Sequence, residues 1–118
     1  MQFITKIIKK PLKLEKIQVL AEQQFGDFIK AVVDIENIIM AIGWELHADQ
    51  ESLLLDKWSN QEHLRGINIY PQHFGKDSFI EFDSMINIRP RLNNRTRGIQ
   101  DAKIKKKIKE IVVLFIKP

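Results

Sequence analysis

The sequence predicts an α+β fold: a mostly antiparallel sheet of about five strands with two amphipathic helices, both on one face. Three observations lead there. Segments near both ends repeat apolar residues at helical spacing, Leu14, Ile17, Ala21 and Phe25 in one and Ile104, Ile108, Ile111, Val112 and Phe115 in the other. The stretch between them is a series of short β-branched and aromatic runs bounded by turn residues. Finally, 118 residues with 44% hydrophobic and 29% charged content supply one globular core and not two. Residues 1–118 therefore read as a single domain, with helices segregated from the sheet.

Each element has a local cause. Phe3 to Ile8 alternates as a short strand, and flanking lysines place it at a sheet edge. Pro11 closes it and opens a helix from about Leu12 to Phe25, which Gly26 stops in the position usual for a left-handed cap. Phe28 to Ile35 and Ile38 to Trp44 are two β-rich runs, and Glu36-Asn37 between them predicts a tight hairpin. Gly43 in the second run marks a bulge or a close backbone approach. Residues 45–60 stay open between two readings. Asp49 is a possible cap for a short helix ending near Leu55, while Leu53 to Leu55 fit a buried strand as well.

Ser59 and Glu62 have capping-box spacing, which predicts a single helical turn. Arg65 to Tyr70 and Ser78 to Arg89 then read as strands. In the second, Ile80, Phe82, Ser84, Ile86 and Ile88 share one face, and Glu81, Asp83, Asn87 and Arg89 lie on the other. Pro90 ends it. Asp101 is the expected N-cap of the last helix.

Several stretches resemble a family of small prokaryotic proteins known only as a domain of unknown function. They are FGDFIKAVVDIE (Phe25 to Glu36), ELHAD (Glu45 to Asp49), SNQEHLRGINIYP (Ser59 to Pro71), FIEFDSMINIRP (Phe79 to Pro90) and NRTRGI (Asn94 to Ile99). The resemblance implies one small domain and carries no assigned activity. Where it implies a glycine before Ser59 and a tryptophan at position 65, this chain has Trp58 and Arg65.

Composition excludes several functions. The chain has no cysteine, so disulfides, thiolate metal sites and a cysteine nucleophile are ruled out. Its longest apolar runs, 38–44 and 111–116, fall far short of the roughly 20 residues of a membrane helix. Lysines interrupt Met1 to Lys10, so no signal-peptide core is read and a cytoplasmic protein is expected. Five scattered glycines form no phosphate-binding loop, and no GxSxG or zinc spacing occurs. No metal and no cofactor are expected. The net charge of +4 conceals a segregation. Residues 1–16 carry five lysines against Glu15, and residues 89–118 carry ten basic groups against Asp101 and Glu110. The middle is strongly acidic. If the two ends meet in the fold, the molecule has a cationic and an anionic side.

Three constellations are candidates for function. Glu45, His47 and Asp49, at two-residue spacing on an extended strand, would share one face and offer acid–base or metal chemistry. A solvated strand end leading into a helix cap is the competing account, and acidic caps are common. Asn68 and Tyr70 with Glu81, Asp83, Asn87 and Arg89 would line a polar sheet face, or merely wet it. Arg89, Arg91, Arg95 and Arg97 in RPRLNNRTR would clamp anionic oxygens, with Asn87 beside them. Internal pairing with Glu81 and Asp83 is the competing account.

The leading expectation is a small binding or interaction module whose arginine-rich loop contacts an anionic ligand or an acidic protein. Nucleic acid is possible on charge alone, without a supporting motif. The alternative is a small enzyme, with His47 as acid or base, Glu45 and Asp49 orienting it or holding a metal, and Arg89 positioning an anionic substrate.

Overall fold

The computed structural model describes residues 6–24, 26–43 and 46–118. Its elements in chain order are β1 (Lys6–Ile8), β2 (Leu12–Lys13), α1 (Leu14–Gln24), β3 (Ile29–Asp34), β4 (Ile39–Gly43), α2 (His47–Asp56), β5 (Leu64–Ile69), β6 (Ile80–Glu81), α3 (Ala102–Phe115) and β7 (Ile116–Lys117). Five strands form one antiparallel sheet in the order β1-β4-β3-β5-β6. The α+β class follows. Of the predicted strand 3–8, residues 3–5 lie outside the described residues, as do Phe25 of the first helix and Trp44. Lys6–Ile8 does form the expected edge strand.

Alternation along the central strands decides which layer covers which face. Ile29, Ala31 and Val33 of β3, Met40 and Ile42 of β4, and Ile67 and Ile69 of β5 join one core with Ile17 of α1 and Ile108, Ile111, Val112 and Phe115 of α3. Both amphipathic helices therefore share a face, as their stripes require. The intervening residues point the other way, where Val32, Ala41 and Leu64 meet Leu54. That residue belongs to α2, a third helix, and it settles the ambiguous stretch 45–60. Asp49 is not its cap; Leu46 occupies that position without a side-chain hydrogen bond.

Helix ends follow local chemistry. The Asp101 carboxylate accepts from the Lys103 and Ile104 amides at 2.8 and 3.4 Å, capping α3 as expected. Gly26 has φ +86° and its N–H reaches the Ala21 carbonyl at 2.7 Å, closing α1. At the end of α2 the Ser59 N–H bonds to the Leu54 carbonyl at 3.0 Å across a left-handed residue. That residue is Trp58, at φ +77°, a conformation that normally selects glycine. The helical turn after it is the short 3-10 segment Gln61–His63, whose cap position is Asn60 and not Ser59.

Two predicted features differ from the structure. The β3–β4 connection is not a two-residue hairpin. It spans Ile35 to Ile38, and Asp34 organises it: Oδ1 accepts from the Glu36 and Asn37 amides and Oδ2 from Asn37 Nδ2 and Ser59 Oγ. Four donors satisfy a fully buried carboxylate. Gly43 continues the ladder opposite Lys30 without a bulge.

The long strand Ser78–Arg89 is the larger correction, because only Ile80–Glu81 pair with β5. Beyond them the chain turns through the 3-10 segment Met85–Asn87, and Asn87 takes over the role of a strand partner. Its Oδ1 accepts from the Gly66 N–H at 2.8 Å and its Nδ2 donates to the Gly66 carbonyl at 2.9 Å. A side-chain amide thus satisfies a peptide group of β5 that a sixth-strand ladder would otherwise pair. The first helix is also shorter than expected, because Leu12–Lys13 pairs in parallel with Ile116–Lys117.

Candidate functional site

The arginine-rich segment follows the Asn87 turn, and its four guanidiniums have different fates. Arg89 points inward. Its Nη1 donates to the Gln61 carbonyl and to the Leu64 carbonyl at 2.8 Å, and its Nη2 meets the Glu51 carboxylate of α2 at 2.6 Å. Both side chains of this ion pair are 12% exposed. Burial lowers the Arg89 pKa from the ordinary arginine value, and Glu51 opposes that shift. Arg97 Nε bonds to Asp83 Oδ1 at 2.5 Å near the surface, and that hydrogen bond raises the Arg97 pKa. Arg91 and Arg95 are exposed, with no ion-pair partner among the described residues.

The predicted four-arginine clamp is therefore divided. Arg89 ties the segment to α2, Arg97 ties it to Asp83, and two cations face outward. Asn87 is fully buried and its amide is spent on Gly66 and on the Arg97 carbonyl at 2.9 Å. It holds the loop and is not positioned to contact an external anion. Asn94 completes the frame: its Nδ2 donates to the carbonyls of Asn87, Thr96 and Gly98, and its Oδ1 accepts from the Gln100 amide. Sequence reading missed this pair of structural asparagines. The signal that could have revealed the target of Asn87 is Gly66, a lone glycine within a strand. A Cβ there would sit 2.6 Å from Ser84 Cβ and 3.1 Å from the His47 ring.

The His47 constellation is rearranged. Its strand reading fails because His47 and Asp49 lie in the first turn of α2, about 200° apart around the axis. Asp49 is exposed, and Glu45 lies outside the described residues. His47 packs over β5, and its Nε2–H donates to the Ile67 carbonyl at 2.7 Å. Burial lowers its pKa, the carbonyl bond raises it, and Lys30, Asp83 and Arg97 contribute smaller fields. Gln50, one turn on, donates to the Lys30 carbonyl at 3.0 Å. The inner face of α2 is thus a set of hydrogen bonds to the sheet. Among the described residues no three His, Asp or Glu groups converge as a metal site.

The polar sheet face survives in part. Glu81 Oε1 accepts from Asn68 Nδ2 at 2.8 Å and from the Tyr70 hydroxyl at 3.1 Å. Partial burial, then Glu81, raises the Tyr70 pKa. Arg89 and Asn87 have left that face for the interior, so the expected row of polar groups ends at Asp83.

The most extended chemical feature is positive. The parallel pairing of β2 with β7 joins the two basic ends of the chain, setting Lys13 opposite Lys117. α3 exposes Lys103, Lys105, Lys106, Lys107 and Lys109 against Glu110, and α1 beside it exposes Lys16. On the opposite sheet face α2 carries Asp49, Glu51 and Asp56, with Glu51 paired to Arg89. Next to α3, Phe74, Phe79, Ile80 and Val113 line a slot of about 250 Å³, rimmed by Lys76, Asp77 and Lys109.

Fold and surface together define a small α+β domain, with a five-stranded antiparallel sheet between a lysine-rich pair of helices and the third helix, α2. A family model described as a protein of unknown function (DUF5674) matches residues 6–115, and the chain belongs to that family. No curated protein and no solved structure matches it.

Proposed function

We propose that this protein is a small binding module for an anionic partner, engaged by the helical face where the two basic ends of the chain meet. One observation carries the reading: the β2–β7 pairing, which combines two cationic segments into one surface around α3. Arg91 and Arg95 are further exposed cations, on the loop that the Arg89–Glu51 pair ties to α2. Lysines on a regular helix make a broad attractive field and no bidentate cradle, which suits a partner with distributed negative charge. An acidic protein segment fits that description best, and nucleic acid is the second outcome to test. No helix among the described residues is long and apolar enough to cross a membrane. We place the protein in the cytoplasm, a compartment compatible with its cysteine-free composition.

Fluorescence anisotropy with labelled poly-glutamate, and separately with single-stranded RNA, tests the reading across a salt series. Binding to at least one polyanion is expected, weakening as salt rises. The triple variant Lys103→Glu, Lys106→Glu, Lys107→Glu should lose at least about tenfold in affinity and flatten the salt slope. Arg91→Ala with Arg95→Ala should lose less. A wild-type protein that ignores every polyanion at low salt, or a triple variant that binds as before, refutes the proposal.

A further inference from the structure

The slot beside α3 adds a requirement that charge alone does not impose. Its walls come from Phe74–Lys76, which join the 3-10 turns Pro71–His73 and Asp77–Phe79, from Asp77, Phe79 and Ile80, and from the outer flank of α3. Gly75, at φ +85°, makes the reversal between the turns. Phe74 and Phe79 meet edge to face, with centroids 5.2 Å apart at 82°, so ring edges shape the back wall. Val113 forms the near lip and is 57% exposed, although β-branched apolar residues usually lie inside. Lys109 belongs both to the rim of the slot and to the lysine face of α3, four residues before Val113. The apolar and cationic surfaces are therefore continuous.

We infer that this slot is a socket for one apolar side chain, leucine or phenylalanine, carried by an acidic peptide segment lying along α3. The inference rests on the anionic-partner reading and narrows it to a class of partner. A volume of about 250 Å³ is ample for a single large side chain. Charge complementarity selects the chain that bears it: carboxylates flanking the anchor would meet Lys109 and Lys76 at the rim and Lys106 further along the helix. Asp77, the one anion at the mouth, leaves an acceptor for a backbone N–H beside the anchor. A nucleic acid satisfies the lysines but brings no aliphatic group to the slot.

The test uses the full chain and two labelled decapeptides of glutamate, one with a central phenylalanine and the other with alanine in its place. Anisotropy should show the phenylalanine peptide binding about tenfold more tightly, the fold-change expected for burying one such side chain. Val113→Phe, at an exposed position, fills the mouth and should bring the two affinities within about twofold. Lys109→Glu should weaken both peptides. In the wild-type protein, NMR resonances of Phe74 and Phe79 should move with the first peptide and not the second.

Equal affinities for the two peptides would overturn the socket and leave the anionic-partner reading standing. Binding to RNA or to phosphatidylserine vesicles with neither peptide bound would overturn it in the same way. If no anionic probe binds at all, both readings fail together.

Discussion

Trp58 shows how a single residue can sit against its own backbone. Its φ of +77° places it where the Leu54–Ser59 hydrogen bond demands a left-handed conformation, and its side chain is 84% exposed. The indole therefore contributes little packing while its Cβ strains the turn. Trp58→Gly should stabilise the protein by about 0.5–1 kcal/mol, the relief of the strain exceeding the added freedom of the unfolded chain. Urea denaturation would show it as a higher midpoint at unchanged slope. A lower midpoint would mean that the exposed ring makes a stabilising contact. The resemblance pointed to this position, since it implied glycine where Trp58 stands. Nothing local pointed to Asn87. Its partner, Gly66, lies 21 residues earlier, and no periodicity encodes a side chain that replaces a strand.

At the scale of elements, α2 is the least legible and the most consequential. Its inner face mixes Leu54 with His47, Gln50 and Glu51, and these polar residues bind the sheet and the Arg89 loop. A helix that docks through hydrogen bonds has no clean apolar stripe, so its hydrophobic pattern was ambiguous. The same docking makes its stability depend on pH. Burial holds the His47 pKa below its ordinary 6.5, so the neutral ring is the one that folds. The stabilisation is complete above the unfolded value and is lost as pH falls from about 6.5 toward the lower folded value. The slope from this one proton is at most about 1.4 kcal/mol per pH unit. Thermal melts between pH 7.5 and 5 should fall more steeply for the wild type than for His47→Gln. Parallel curves would show that the buried imidazole titrates as if free. The Ser78–Arg89 segment failed for a related reason. Alternation in a sequence records which residues face a core, and here the same pattern serves a chain folded into turns around Asn87.

For the whole molecule the governing fact is separation of charge. Lysines of α1, α3 and the two short paired strands lie close together and outnumber the acids of the same elements, Glu15, Glu22 and Glu110. Such a face repels itself at low ionic strength. Raising sodium chloride from 10 to 300 mM shortens the screening length from roughly 30 Å to well under 10 Å. The melting temperature should then rise by a few degrees, and the lysine-to-glutamate triple variant should show a smaller rise. A melting temperature that falls with salt would mean that attractive pairs outweigh the repulsion.

The amino-acid sequence by itself determined the α+β class, an edge strand ending at Ile8, the two amphipathic helices on one face, the Asp101 cap and the Gly26 stop. Each depends on neighbours within a few residues: an apolar period, a carboxylate beside free amides, a residue without Cβ. Only the tertiary structure decided that α2 is a helix, that Arg89 and Asn87 turn inward, and that the basic ends join through β2 and β7. Those outcomes depend on partners 20 to more than 100 residues away. Whether a guanidinium faces water or Glu51, and whether two lysine-rich segments form one surface, is settled by packing that no local pattern contains.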